Sequence, residues 1–360
     1  MQRVVHQYRN CSRVFTILES IYAQLSDTDG SCTDIIWVTE AFRDLCEILS
    51  SNIFSYTAPP IKELPISIVP YENNRENEIT VCLSGGKDSA AAAYYYKQRG
   101  YTVHLYHAVG VNKAYGDEKK AAQQIADYLK CDLFIETIHI AGLKSFIEHP
   151  LKNYVIANAA IHYCMANNYP LRIAFGNFSG SHLDDNAFEV CAGDCVEMWD
   201  AYKKIVTSVL PSFQLELPLN TNADTFDLLS EDWELFKLCV SCMSPYRFRA
   251  HWKHRTEQKY GVRIFDNRCG SCWKDCIESI WLMDKCGTDY NEEFYRHCIG
   301  ILLQTIYKES GEKVDIQTCW GNYMFYPITE SHAVKYLTGY TIKYFNNKAC
   351  HIEEVCQSGI

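Results

Sequence analysis

Residues 79–89 read Ile-Thr-Val-Cys-Leu-Ser-Gly-Gly-Lys-Asp-Ser and run directly into four alanines, Ala90 to Ala93. The opening apolar run has the length of a buried strand, and Asp88 and Ser89 fall in the first turn of the helix that follows. Between strand and helix lie two adjacent glycines. They let the backbone approach a ligand closely and aim successive N–H groups at one anion. The positive end of the helix adds to the same field. This is a phosphate cradle of a kind other than the Walker loop, whose Gly-x-x-x-x-Gly-Lys-Ser/Thr spacing is missing. An ordinary glycine turn is the competing reading.

From this stretch onward the chain alternates. Strands are expected at 79–84, 101–109, 132–138 and 171–177, and helices at 88–98, 117–130, 151–168 and 195–209. Such alternation predicts an α/β fold with a doubly wound, mostly parallel sheet. Ligands of such sheets bind beyond the carboxyl ends of the strands, where residues 84–89 fall. Four regions follow: a helical N-terminal extension with a proline-rich connector (1–75), the sheet domain that carries the phosphate cradle (76–220), a cysteine-bearing helical region (221–290) and a C-terminal extension (291–360). In the first, Val14, Ile17, Leu18, Ile21, Tyr22 and Leu25 recur at helical spacing, and a second helix is expected at 39–49. Further helices are expected at 224–237, near 273–285 and at 291–308, with short apolar runs at 323–328 and 340–345.

The net charge of −10 argues against broad, electrostatically driven binding of nucleic acid, which needs lysines and arginines on phosphates. No apolar run approaches a membrane span and no charged-then-apolar leader opens the chain, so a cytoplasmic protein without a membrane partner is expected. Eighteen cysteines on a chain of 360 residues point to a reducing interior and a metal. Cys239-x-x-Cys242 is followed by Cys269-Gly-Ser-Cys272 and then Cys276. Zinc wants four soft ligands in a tetrahedron, and two-residue spacings turn both thiolates of a pair inward. Five cysteines compete for four positions, and a redox dithiol is the competing reading.

Residues 84–89 resemble the PP-loop, Ser-Gly-Gly-x-Asp-Ser, of the ATP pyrophosphatases that activate a carbonyl or carboxylate as an adenylate. That resemblance implies that the amides of Gly85 and Gly86 and the hydroxyls of Ser84 and Ser89 hold ATP phosphates. Lys87 would neutralise charge as pyrophosphate leaves, and Asp88 would hold Mg2+ through water. Lys87, Asp88 and Ser89 are thus the expected catalytic residues. Adenine is expected at the end of the second strand, beside His107; a partly buried strand histidine is the alternative there. At the end of the 171–177 strand, Gly176 and Asn177 are placed to read a base or ribose, and Asp194 and Glu197 can accept from guanine-like N–H groups. A solvated acidic loop is the bland reading of the last two.

These features in this order resemble the 7-cyano-7-deazaguanine synthase (QueC) family of PP-loop enzymes over residues 79–285. Tyr115-Gly116, Pro150 with Asn153, Phe175-Gly176-x-Phe178-Ser179 and Asp194-Cys195-x-Glu197-x-Trp199 are similar to the family's segments. Ser241-Cys242 and Cys269-Gly-x-Cys272 match its zinc motifs. The resemblance implies Cys242, Cys269, Cys272 and Cys276 as Zn2+ ligands, with Cys239 left out. It further implies ATP-dependent conversion of a 7-carboxy-7-deazaguanine-like acid, with ammonia or an amine, to an amide or nitrile, as in queuosine biosynthesis. Departures from the family pattern are Lys87 in place of leucine, Val196 in place of arginine, and three residues rather than two before Cys276. They suggest a divergent member. The alternatives are a relative used in antiviral defence on a protein or nucleic-acid target, a tRNA-modifying PP-loop enzyme, and a non-catalytic ATP-binding module. The terminal extensions are expected to meet a protein partner, and a homodimer is a further expectation.

Overall fold

In the computed structural model of the protein, the described residues are 6–9, 35–37, 65–67, 71, 73, 75–109, 117–141, 152–180, 196–242, 246–286, 291–298, 300–301, 340–345 and 349–354. The strands are β1 His6–Arg9, β2 Ile35–Trp37, β3 Pro65–Ser67, β4 Glu78–Cys82, β5 Thr102–Val109, β6 Asp132–Ala141, β7 Arg172–Ala174, β8 Gln214–Glu216, β9 Tyr340–Phe345 and β10 Ala349–Glu354. The helices are α1 Lys87–Gln98, α2 Glu118–Leu129, α3 Lys152–Ala166, α4 Val196–Val209, α5 Asn222–Ser230, α6 Trp233–Leu238, α7 Tyr246–Tyr260 and α8 Trp273–Cys286.

The main sheet runs β1-β6-β5-β4-β7-β8, and every pairing in it is parallel. It is the doubly wound α/β arrangement that the alternation predicts. From β4 the chain winds outward through β5 to β6, then returns across β4 to add β7 and β8. That reversal opens a crevice at the carboxyl end of β4, between β4 and β7, and residues 83–86 sit at its mouth.

Alternating side chains of the strands serve opposite faces. Ile79 and Val81 of β4 and Val103 and Leu105 of β5 pack with Ala90, Ala91, Ala92 and Ala93 of α1 and with Ala122 and Ile125 of α2. The alanines are fully buried; their small side chains let α1 lie close on the sheet. On the other face the Cys164 thiol of α3 donates to the Thr80 hydroxyl at 3.2 Å, and Tyr163 stacks on Phe134 with ring centroids 4.6 Å apart. The α1 face extends without a break through Phe226, Phe236, Ile264, Trp281 and Phe294, so the cysteine-bearing region shares its core with the sheet.

Some expectations differ from what is found. The helix expected at 224–237 is two helices, because Asp232 leaves the helical conformation and its carboxylate accepts the Leu235 N–H at 3.1 Å, starting α6 afresh. Helix α7 and strand β8 were hidden in irregular-looking sequence. The expected run 340–345 is a strand, paired with β10 as an antiparallel hairpin. The helices expected around residues 14–25 and at 39–49 lie outside the described residues; His6–Arg9 and Ile35–Trp37, in the same extension, are strands. Among the described residues no helix is long and apolar enough to cross a membrane.

Under the joined core lies a buried ion pair, Arg268 with Glu278 of α8. Arg268 also donates to the carbonyls of Asp266 and Phe236 and lies over the Phe236 ring at 4.5 Å. Removing one partner strands the other charge in a dry interior. Arg268→Met is therefore expected to cost about 3–5 kcal/mol in urea unfolding, with much of the loss recovered in Arg268→Met/Glu278→Leu.

Candidate functional site

The loop is a closed knot of short hydrogen bonds. The Ser84 N–H donates to Ser89 Oγ at 3.1 Å, the Gly86 N–H to Ser84 Oγ at 3.2 Å, and the Ser89 hydroxyl to the Gly86 carbonyl at 3.1 Å. The two serine oxygens are 3.0 Å apart. Gly85 has φ +89°, and a Cβ there would lie 2.7 Å from the Glu118 carbonyl, so the position needs glycine on both counts. Gly86 is the N-cap of α1 and brings no side chain of its own to cap the first turn.

Lys87 and Asp88 leave this knot as a pair. The Lys87 ammonium is buried, 2.5 Å from Asp88 Oδ1 and 5.1 Å from the centre of the Phe226 ring. Asp88 Oδ1 also accepts from the Thr225 hydroxyl at 3.0 Å. Helix α5 thus supplies two residues of the site, Thr225 and Phe226, that motif reading missed. Their only sequence signal is their place in a helix beside an Asn220–Asp224 turn, where the Asp224 carboxylate accepts the Asn220 and Thr221 N–H groups.

Gly176 meets the loop from the far side of the crevice. A Cβ added there would lie 2.5 Å from the Asp88 carbonyl carbon and from the Ser89 nitrogen. Its role in this arrangement is close backbone packing against the start of α1. His107 is likewise engaged: its ring is buried, and Nδ1 is 2.7 Å from the Leu83 carbonyl. A carbonyl only accepts, so Nδ1 carries the proton and the histidine braces the residue before the loop. Asn177 is half-buried just after β7. Asp194 lies outside the described residues, as do Tyr115, Gly116, Pro150 and Cys195, and Glu197 is described only as backbone of α4. Trp199, from the same segment, is packed in an aromatic group with Tyr154, Phe175 and Tyr202.

The cysteine cluster stands directly behind the loop. The Val240 N–H donates to the Gly85 carbonyl at 2.8 Å, and the Lys87 N–H approaches Ser241 Oγ at 3.4 Å. One residue later, Cys242 joins Cys269, Cys272 and Asp275, with ligand atoms all within 4.8 Å of one another. Cys276, expected as the fourth ligand, is not in this group. The chain enters α8 at Trp273, and the helical turn carries Cys276 into the apolar core beside Cys298, while Asp275 is brought round to the sulfurs. Cys239 is also outside it, buried with its thiol donating to the Leu235 carbonyl and its pKa pushed up to about 12 by burial.

The donor set fits a soft divalent cation. Sulfurs of Cys242 and Cys272 are 3.9 Å apart, and backbone N–H groups of Ser271 and Asp275 point at the sulfurs of Cys269 and Cys272. Asp275 Oδ2 accepts the Cys269 and Gly270 N–H groups, whereas its buried Oδ1 has no hydrogen-bond partner. Without a cation, burial pushes the Asp275 carboxyl well above the usual carboxylate range, and hydrogen bonds with Cys242 and Cys269 raise the Cys272 thiol. A cation would reverse that balance.

No protein-family model matches this sequence, and no curated protein does. Among solved structures the chain is similar to a predicted subunit of tRNA methyltransferase from Methanocaldococcus jannaschii, at 19% identity and a TM-score of 0.26, covering 43% of this chain and 74% of that one. It is also similar to the NMN synthetase from Francisella tularensis, at 15% identity and a TM-score of 0.28, covering 67% and 90%. Likenesses this distant assign no function. The chemistry rests on the residues of the site.

The His107 brace is testable through pH. Burial lowers its pKa below the ordinary 6.5, so the folded protein keeps the ring neutral where the unfolded chain takes up a proton. Its contribution to stability is complete above pH ~6.5 and declines as pH falls below that value. His107→Asn keeps an N–H for the Leu83 carbonyl and cannot titrate. Melting temperature is expected to fall less steeply between pH 7 and 5 in this variant than in the parent chain.

Proposed function

We propose that this protein is an ATP-dependent carbon–nitrogen ligase of the PP-loop type that adenylates the carboxylate of a 7-carboxy-7-deazaguanine-like acid. The observation that carries the proposal is the 84–89 loop, folded as an uncapped helix N-terminus at the switch point of a parallel sheet, with Lys87 and Asp88 fixed at its edge. Such a loop suits an ATP whose phosphates lie over the start of α1.

A carboxylate is a poor electrophile because its leaving group would be oxide. In the proposed reaction its oxygen attacks the α-phosphorus, the bond to the bridging oxygen breaks, and pyrophosphate departs with the electron pair. The amides at the start of α1 and the Lys87 ammonium hold the charge that builds on the leaving group. Ammonia or an amine then attacks the acyl carbon, AMP leaves, and the nitrogen loses a proton, giving an amide. A second round on the amide would give the nitrile. Catalysis here is chiefly positioning: Thr225 and Phe226 hold the Asp88–Lys87 pair so that neither swings away from the loop. Asp88 would hold Mg2+, which when bound screens the phosphates. Cys242, Cys269, Cys272 and Asp275 would hold Zn2+ as a closed structural ion that stiffens the Val240–Gly85 junction.

The test is the metal-loaded chain with ATP, magnesium, ammonium and 7-carboxy-7-deazaguanine, followed by mass spectrometry and AMP assay. Amide with one AMP per molecule, or nitrile with two, is the expected result. Asp88→Ala is expected to lower AMP formation about a hundredfold or more in a chain that still folds, with a modest drop in melting temperature because the buried Lys87 ammonium loses this carboxylate. AMP release that needs an RNA or protein acceptor instead of this acid would overturn the substrate assignment.

The metal ligands are tested separately by elemental analysis and by cobalt spectra. One zinc per chain is expected, retained in Cys276→Ser and lost or greatly weakened in Asp275→Asn and Cys269→Ser. The cobalt form should show charge transfer from three sulfurs. Loss of metal in Cys276→Ser with retention in Asp275→Asn would restore cysteine as the fourth ligand.

A further inference from the structure

Helix α7 differs in charge from the chain that carries it. Five of its 15 residues are basic (Arg247, Arg249, Lys253, Arg255, Lys259) and one is acidic, Glu257, in a protein of net charge −10. Its inner side is accounted for. Arg249 pairs with the buried Asp117, Lys253 with Asp266 at 2.7 Å, and the Glu257 carboxylate accepts the Ile264 N–H at 2.9 Å. Its outer side carries Phe248 and Trp252, which are 45% and 39% exposed. Tyr128 is the other large exposed ring among the described residues, and its hydroxyl is bonded to Asp232. Among the described residues Trp252 has no such polar anchor.

Positions 248, 252, 255 and 259 follow one another along a single helix stripe. The Arg255 guanidinium lies 5.6 Å from the centre of the Trp252 ring, and the His251 ring meets that ring edge-on at 5.8 Å. Arg255, Lys259 and His254 are exposed, and Arg263 is exposed just beyond the helix. A membrane surface would call for a continuous apolar face, and the charged residues interrupt one here. An acidic protein segment would engage the cations and leave the flat rings idle. Flat rings alternating with cations suit a strand of unpaired bases, each of which offers a π-face and a phosphate.

We propose that the outer face of α7 is a docking surface for single-stranded nucleic acid, with bases stacked on Trp252 and Phe248 and phosphates on Arg255 and Lys259. The acidic remainder of the chain confines binding to this strip. The surface is tied to the loop's frame: Arg249 joins α7 to Asp117 at the start of α2 and to the Cys242 carbonyl. A strand bound there is held on the same support as residues 84–89. Binding requires no ATP, so it stands or falls apart from the adenylation reading.

The test is fluorescence anisotropy of the full metal-loaded chain, without ATP, against labelled single-stranded RNA, DNA of the same sequence, and the duplex. Both single strands are expected to bind, at least about tenfold tighter than the duplex. A preference for RNA over DNA would identify the 2′-hydroxyl as part of the ligand. Trp252→Ala is expected to weaken single-strand binding about tenfold with the salt dependence unchanged. Arg255→Ala/Lys259→Ala should reduce the slope of log affinity against log salt by about 1.4. Since these side chains are exposed, melting temperatures should not move. No binding, affinity indifferent to both sets of substitutions, or competition by polyglutamate as strong as by RNA would overturn the proposal.

Discussion

Two hydrogen bonds join the 84–89 loop to a segment more than 150 residues away, Val240 to the Gly85 carbonyl and Lys87 to the Ser241 hydroxyl. Gly85 is left-handed and wedged against α2, so its carbonyl direction is set by whatever holds it from behind. That support is the strand of chain leading into Cys242. The cysteine cluster therefore has a place in the loop's support: Cys242, Cys269, Cys272 and Asp275 meet one residue beyond Ser241, and a cation held by them, as proposed above, would stiffen the segment that backs the glycine-rich loop. A loop that is already ordered gives up less entropy when an anion binds.

The same corner radiates outward. Arg249 binds the Cys242 carbonyl and Asp117, the N-cap residue of α2, and α2 in turn presents the Glu118 carbonyl that excludes any side chain at Gly85. On the opposite flank Thr225 and Phe226 hold Asp88 and Lys87, and Gly176 closes on the backbone of residues 88–89 from β7. Each contact comes from a different element, yet all bear on six residues. A substitution in α5 or α7 can thus disturb the loop without touching it.

Reading from residues alone succeeded where the information was local. The four strands and four helices between Glu78 and Val209, and the glycine turn between the first of each, follow from period, glycine placement and the apolar run before it. It fell short at the fourth corner of the cysteine cluster. Spacing left five cysteines for four positions and the family resemblance implied Cys276, whereas the first turn of α8 rotates Asp275 toward the sulfurs and sends Cys276 to the core. A helical turn rotates each residue by a fixed angle, so one position along the chain decides between ligand and core, and composition does not report that phase. The packing of Gly176 on the start of α1 and the bond of His107 to the Leu83 carbonyl join distant segments, and local sequence carries no sign of either contact. Helix α7 was missed because its polar, basic composition lacks the apolar stripe that announces a surface helix.

The amino-acid sequence by itself determined the α/β alternation, the place of the loop at a strand's carboxyl end, and the gathering of soft ligands after residue 239. Those depend on neighbours a few residues apart. Only the tertiary structure decided which cysteines meet, that Thr225 and Phe226 belong to the site, and that the cysteine corner is hydrogen-bonded to Gly85. These are contacts between segments distant in the chain. They follow from how helices pack on the sheet, and the pattern of any one segment carries no record of the partner it will meet.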